Sequence, residues 1–105
     1  MTQEKPALKV LLHAPTPEAL VRARNNAANL RKEDPDAQVR IIVNAEAVAT
    51  ALAVAHPDMD ALTWVCPVTL ARSHRENRPP LHLLDGPAVL ALARLQQDGW
   101  VYIRT

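Results

Sequence analysis

The chain alternates short continuous apolar runs with longer segments whose apolar residues recur at helical spacing. The first run, Leu8 to Ala14, is the right length for a buried strand. Thr16-Pro17-Glu18 follows with an N-cap, a proline at the first helical position and an acid that suits the positive end of the helix dipole. Leu20, Ala23, Ala27 and Leu30 share one face, which predicts a helix to about Asp34, and Asp34-Pro35-Asp36 turns the chain. Val39 to Val43 is a second, β-branched strand. Asn44 then reads as the N-cap of a helix that packs Val48, Ala51, Leu52 and Ala55 and stops at His56-Pro57-Asp58.

Ala61 to Val65 predicts the third strand, with Cys66 at its C-terminal edge. Pro67 opens a third helix to about Glu76, with Val68, Leu70 and Ala71 as its apolar positions. After the stiff Asn77-Arg78-Pro79-Pro80 connection, Leu81 to Leu84 is a short fourth strand. Ala88 to Gln97 is a fourth helix with Val89, Leu92 and Ala93 inward, Gly99 is its stop, and Trp100 to Ile103 is a final strand. The βαβαβαβαβ order predicts one α/β domain over residues 1–105, with residues 1–6 frayed. Its sheet is a mostly parallel five-stranded one with helices on both faces, close to flavodoxin-like.

Composition narrows the chemistry. With 105 residues there is room for one modest core, and the absence of Phe makes that core aliphatic. Twelve basic against eleven acidic residues argue against a nucleic-acid-binding face or a polybasic membrane anchor. The lack of a signal-like start or a bilayer-length apolar run sets the expectation of a cytoplasmic protein with a reduced thiol. One cysteine permits no internal disulfide and no Cys-rich zinc site, and the four histidines lie scattered without metal-ligand spacing. With only Gly86 and Gly99 there is no glycine-rich phosphate loop. No metal and no cofactor are expected.

Two residues with chemistry fall at C-terminal strand ends, where open α/β sheets bind ligands: His13 and Cys66. In a flavodoxin-like order the first and third strands are neighbours, which would place both side chains on one rim. Cys66 before Pro67 would also lie near free main-chain N–H groups, an environment that favours the nucleophilic thiolate. The competing reading is a buried cysteine that packs as a small hydrophobe, with His13 a satisfied polar residue. Cys66, Arg72 and Ser73 also match the Cys-x5-Arg-Ser spacing of cysteine phosphatases and the related rhodanese-like loop. Pro-Val-Thr-Leu-Ala between them lacks glycine and reads as helix rather than as an anion-wrapping loop. Trp64, Trp100 and Tyr102 at sheet positions either bury between protomers or fill gaps in the aliphatic core.

Taken together, the segments Lys9-Val10-Leu11-Leu12-His13, Pro17-Glu18-Ala19-Leu20, Asn25 to Leu30, Val39 to Val48, Cys66, and Gly86-Pro87-Ala88-Val89 through Leu92 to Ile103 resemble the small DsrE/DsrF-like proteins of sulfur relay and intracellular sulfur oxidation. The resemblance covers residues 8–104 and is weakest over 67–84. It implies a compact α/β subunit that assembles into trimers or hexamers. It also implies a cysteine at the position of Cys66 that carries sulfur as a persulfide between protein donors and acceptors. The resemblance gives no role to His13, whose place at a strand end is what makes it a candidate to tune the local charge. Pro67-Val68-Thr69 and the proline-rich stretch after Glu76 depart from the pattern of many relatives. The alternative function is a non-catalytic oligomeric binding module in which Cys66 is structural.

Overall fold

Strands and helices alternate as the apolar runs predict. A computed structural model describes residues 6–105, so most of the expected frayed leader lies outside the described residues. The elements are β1 (Lys9–Ala14), α1 (Pro17–Glu33), β2 (Gln38–Val43), α2 (Ala47–Ala53), a 3-10 turn (Asp60–Leu62), β3 (Thr63–Val65), α3 (Pro67–Arg72), β4 (His82–Leu83), α4 (Ala88–Gln97) and β5 (Val101–Arg104). The five strands form one sheet in the order β4-β3-β2-β1-β5, and every pairing is parallel. This is the α/β class with helices on both faces. β2, however, stands between β1 and β3, so the expected adjacency of the strands carrying His13 and Cys66 is not found.

Local signals act where they were read. Thr16 Oγ1 accepts the Ala19 N–H at 3.1 Å, with Pro17 in the first turn of α1. Gly99, at φ +94°, closes α4: its N–H reaches the Gln96 carbonyl, and the Trp100 N–H reaches the Leu95 carbonyl. These two bonds form a Schellman motif, with Leu95 and Trp100 as its apolar pair. α3 ends four residues earlier than expected for the same kind of reason. His74, at φ 52°, takes the left-handed position, and its N–H and that of Arg75 close on Ala71 and Leu70. β4 and β3 are shorter than their apolar runs, because Leu81 packs into the core and Asp60–Leu62 coils before Thr63.

The two faces of the sheet are covered unequally. Alternate strand residues Val10, Leu12, Val39, Ile41, Val43 and Val65 pack under α1, α2 and α3. The other face buries Leu11, Ile42, Leu84 and Cys66 against Ala88 and Leu92, all under α4. Each fully buried Leu or Ile contributes roughly 1.5–3 kcal/mol of apolar transfer. α4 turns Ala88 and Leu92 inward and leaves Val89 and Ala93 exposed, unlike the inward grouping of Val89, Leu92 and Ala93 expected from spacing. Val68 is likewise exposed, and Ala55 lies beyond the end of α2. No helix among the described residues is long and apolar enough to cross a membrane.

A buried ionic knot closes the end of α2. Asp60 Oδ2 receives Arg78 Nη1 at 2.9 Å and the His56 N–H at 3.1 Å, and Arg24 Nη2 lies 3.6 Å from Asp60 Oδ1. Both arginines also donate to α2's terminal carbonyls, Arg24 to Val54 and Arg78 to Leu52 and Ala51. Burial lowers the Arg24 guanidinium from its ordinary value, Asp60 opposes that shift, and Arg78 adds to it. One carboxylate therefore ties α1, α2 and the 73–81 connection together. Asp60→Ala would leave two guanidinium groups without their counter-ion. We expect it to lower stability by about 3–5 kcal/mol in urea denaturation.

Candidate functional site

Cys66 caps α3 from the end of β3. Its backbone is extended (φ −71°, ψ 119°), its N–H pairs with the Val43 carbonyl at 3.0 Å, and Pro67 follows in the first turn. The thiol also meets a second helix start, since the Ala88 N–H at the head of α4 donates to Cys66 Sγ at 3.4 Å. Pro87, the N-cap of α4, supplies no side-chain acceptor, so sulfur does what a capping oxygen would do. Cys66 belongs to the buried cluster of Leu11, Ile42, Leu84, Leu92 and Trp100 under α4, and only 5% of the residue is exposed.

These surroundings act on the thiol in opposite directions. Burial pushes its pKa up. The main-chain N–H groups of Thr69, Ala88 and Val68, with the Thr69 hydroxyl, favour the thiolate, and the result is a pKa below the ordinary thiol value. Thr69 is oriented for this, because its Oγ1 already accepts the Ala45 N–H at 3.1 Å and its hydroxyl proton remains to be donated. Ala45 holds a left-handed backbone (φ 49°) at that contact. Neither Ala45 nor Thr69 was legible as part of the site from sequence.

His13 belongs to a different cluster on the same sheet face. Its Nε2 lies 2.9 Å from Asn44 Oδ1 and its Nδ1 lies 2.6 Å from the Tyr102 hydroxyl. With an acceptor at Asn44, Nε2 carries the proton, and Tyr102 donates to Nδ1. The register pairs Val43 with Val65, so Asn44 follows β2 as Cys66 follows β3, and Asn44 separates His13 from the thiol. His13 thus joins β1 to β5 and to the end of β2 and has no hydrogen bond to Cys66. Asn44, expected as an N-cap, spends its side chain on His13, and α2 begins after Glu46 without a side-chain cap. Tyr102, 38% exposed on the single chain, is the outer partner of this cluster.

Arg72 lies in the last turn of α3 and is exposed. Residues 67–72 are helical, so no main-chain N–H groups ring an anion in the manner of a phosphatase loop. The described residues contain no group of His, Cys, Asp and Glu side chains able to hold a metal ion. Two grooves flank α4. One is about 430 Å3 and is lined by His13, Asn44, Tyr102 and one side of α4; the other is about 420 Å3 and lies towards β3 and β4. Cys66 lines neither, being roofed by the first turn of α4 between them. No family model matches the chain, and no curated protein matches it.

The lowered thiol value carries a sign for stability. Folded Cys66 binds its proton less tightly than the unfolded residue does. Its contribution is therefore fully present above the usual thiol value and is lost as pH falls through the folded value. Stability relative to Cys66→Ser should rise with pH across that window and then level off, as read by urea denaturation at a series of pH values. At Ala45, removing the Cβ relieves a left-handed backbone, so Ala45→Gly should raise stability by about 1 kcal/mol in the same assay.

Proposed function

We propose that this chain is a small sulfur-relay protein of the DsrE/DsrF-like kind, working in the cytoplasm as a trimer or hexamer, with Cys66 as its sulfur carrier. The observation that carries this reading is the thiol held at the starts of α3 and α4, where main-chain N–H groups lower its pKa. Anionic sulfur is the form such a site stabilises, and the same donors would serve a persulfide anion. The Cys66 thiolate attacks the outer sulfur of a donor persulfide and forms a new S–S bond, and the donor leaves as its thiolate. An acceptor thiolate then attacks the outer sulfur of the Cys66 persulfide and regenerates the Cys66 thiolate. No redox partner is needed, because the sulfane sulfur moves without a net change in electrons.

Burial specifies how such a site would work. The sulfur is buried and accepts the leading N–H of α4, so a donor would reach it when that first turn moves aside. The same burial favours the second reading, a binding module in which Cys66 packs the core and caps α4.

Intact-mass measurement after exposure to glutathione persulfide separates the two. The relay reading expects one added sulfur atom on the wild type, none on Cys66→Ser, and loss of the label to an added acceptor thiol. A wild-type chain that stays unmodified while a known carrier protein is loaded in the same tube overturns the relay and leaves the binding module.

A further inference from the structure

Away from Cys66, the half of the second sheet face that α4 leaves uncovered carries a four-member stack. The Arg40 guanidinium lies 4.7 Å from the Trp64 ring centroid and 4.8 Å from that of Trp100. Trp64 in turn stacks on His82 at 4.2 Å and 18°. Arg40 therefore packs against two indoles, and its N–H edge is left to make polar contacts. Among the described residues no carbonyl, carboxylate or hydroxyl accepts from that edge, although three other arginines of the chain, Arg22, Arg24 and Arg78, all find acceptors.

The groove of about 420 Å3 between α4 and the β3–β4 side opens beside this stack. That volume lies within the roughly 300–1,000 Å3 of small-molecule sites. Arg94, on α4, lines it together with Arg40 and likewise donates to no described residue. Asp85 is the acid at the groove, so two guanidinium groups face one carboxylate. The rest of the wall is apolar, with Leu84, Leu90 and Leu95 prominent. Leu90 is 45% exposed, an uncovered apolar surface next to unpaired cations.

We propose that this groove binds a small amphiphilic organic anion, a carboxylate or phosphate monoester with an apolar body. The in-plane N–H edge of Arg40 matches two oxygens of such a head group. Packing against two indoles restricts the Arg40 side chain, so less conformational freedom remains to be lost on binding. Arg94 supplies the second charge, and the leucines take the body. Trp64 and Trp100 are the only tryptophans of the chain, and both touch Arg40, so they report occupancy directly. The site does not depend on sulfur transfer, and Cys66→Ser should retain it.

Titration with hexanoate and, in parallel, with hexyl phosphate, followed through the two indole N–H signals in nitrogen-15 NMR, tests the proposal. Saturable shifts of both indoles are expected with at least one of the two, and the tighter arm identifies the head group. Acetate, inorganic phosphate and hexanol, which carry only the head or only the body, should bind at least about tenfold more weakly, as should the better probe to Arg40→Gln. Arg94→Gln, an exposed change on a helix surface, should weaken binding by about threefold or more. The amide spectrum of each variant checks that it is folded. No saturable shift of either indole in the wild type with either probe, or hexanol binding as tightly as the better probe, or unchanged affinity in folded Arg94→Gln, overturns the proposal.

Discussion

A five-stranded parallel sheet has two faces to bury, and this chain has three helices for one of them and a single helix for the other. α4 must therefore do for the second face what α1, α2 and α3 do together for the first. It covers Leu11, Ile42 and Leu84 as it runs from Cys66, at the end of β3, back to Lys9, at the start of β1. The remaining surface is closed by side chains, with Arg40 over the rings of Trp100 and Trp64 and Trp64 stacked on His82. An arginine at a sheet position is otherwise expensive to bury. Here the guanidinium lies against two aromatic rings and the side chain is only half-buried.

The same shortage of helices accounts for the setting of Cys66. For α4 to seal the top of the sheet, its first turn must come down directly on the end of β3, and the thiol becomes the acceptor for the leading N–H of Ala88. Close approach of helix and strand explains why a small residue, Ala88, stands there rather than Val89. Burial and main-chain donors then compete over the charge of the sulfur, and the donors prevail. A packing cysteine and a reactive one share this geometry until the roof moves. What distinguishes them is the stability of the first turn of α4, which has no side-chain cap from its own N-cap residue, Pro87.

On the first face the constraint is different. α2 is only seven residues long and has no side-chain cap at its start. Its far end is held by arginines from α1 and from the 73–81 connection, which meet on Asp60. That arrangement keeps a proline-rich segment without regular structure against the body of the domain. It also holds β3 in register, because Asp60 begins the turn that leads directly into Thr63. Ionic and capping interactions here substitute for the apolar area that a longer α2 would have supplied.

Much of the architecture could be read along the chain, because strand runs, caps and stops are local. The Thr16 cap, Pro17, Gly99 and the alternation of apolar runs each act through neighbours within a few residues, and the structure places all of them as expected. The position of Cys66 at the end of a strand and the head of a helix is local too. Tertiary structure alone decided everything that depends on which strands lie side by side. β2 between β1 and β3 parts His13 from Cys66 and gives His13 to Asn44 and Tyr102. The rotation of α4 about its axis buried Leu92 and exposed Val89, a choice that helical spacing leaves open because both faces of α4 carry apolar residues. The convergence of two helix starts on one sulfur joins residues 22 positions apart. The meeting of Arg40 with both tryptophans likewise joins separate strands, and no periodicity in the sequence encodes such contacts.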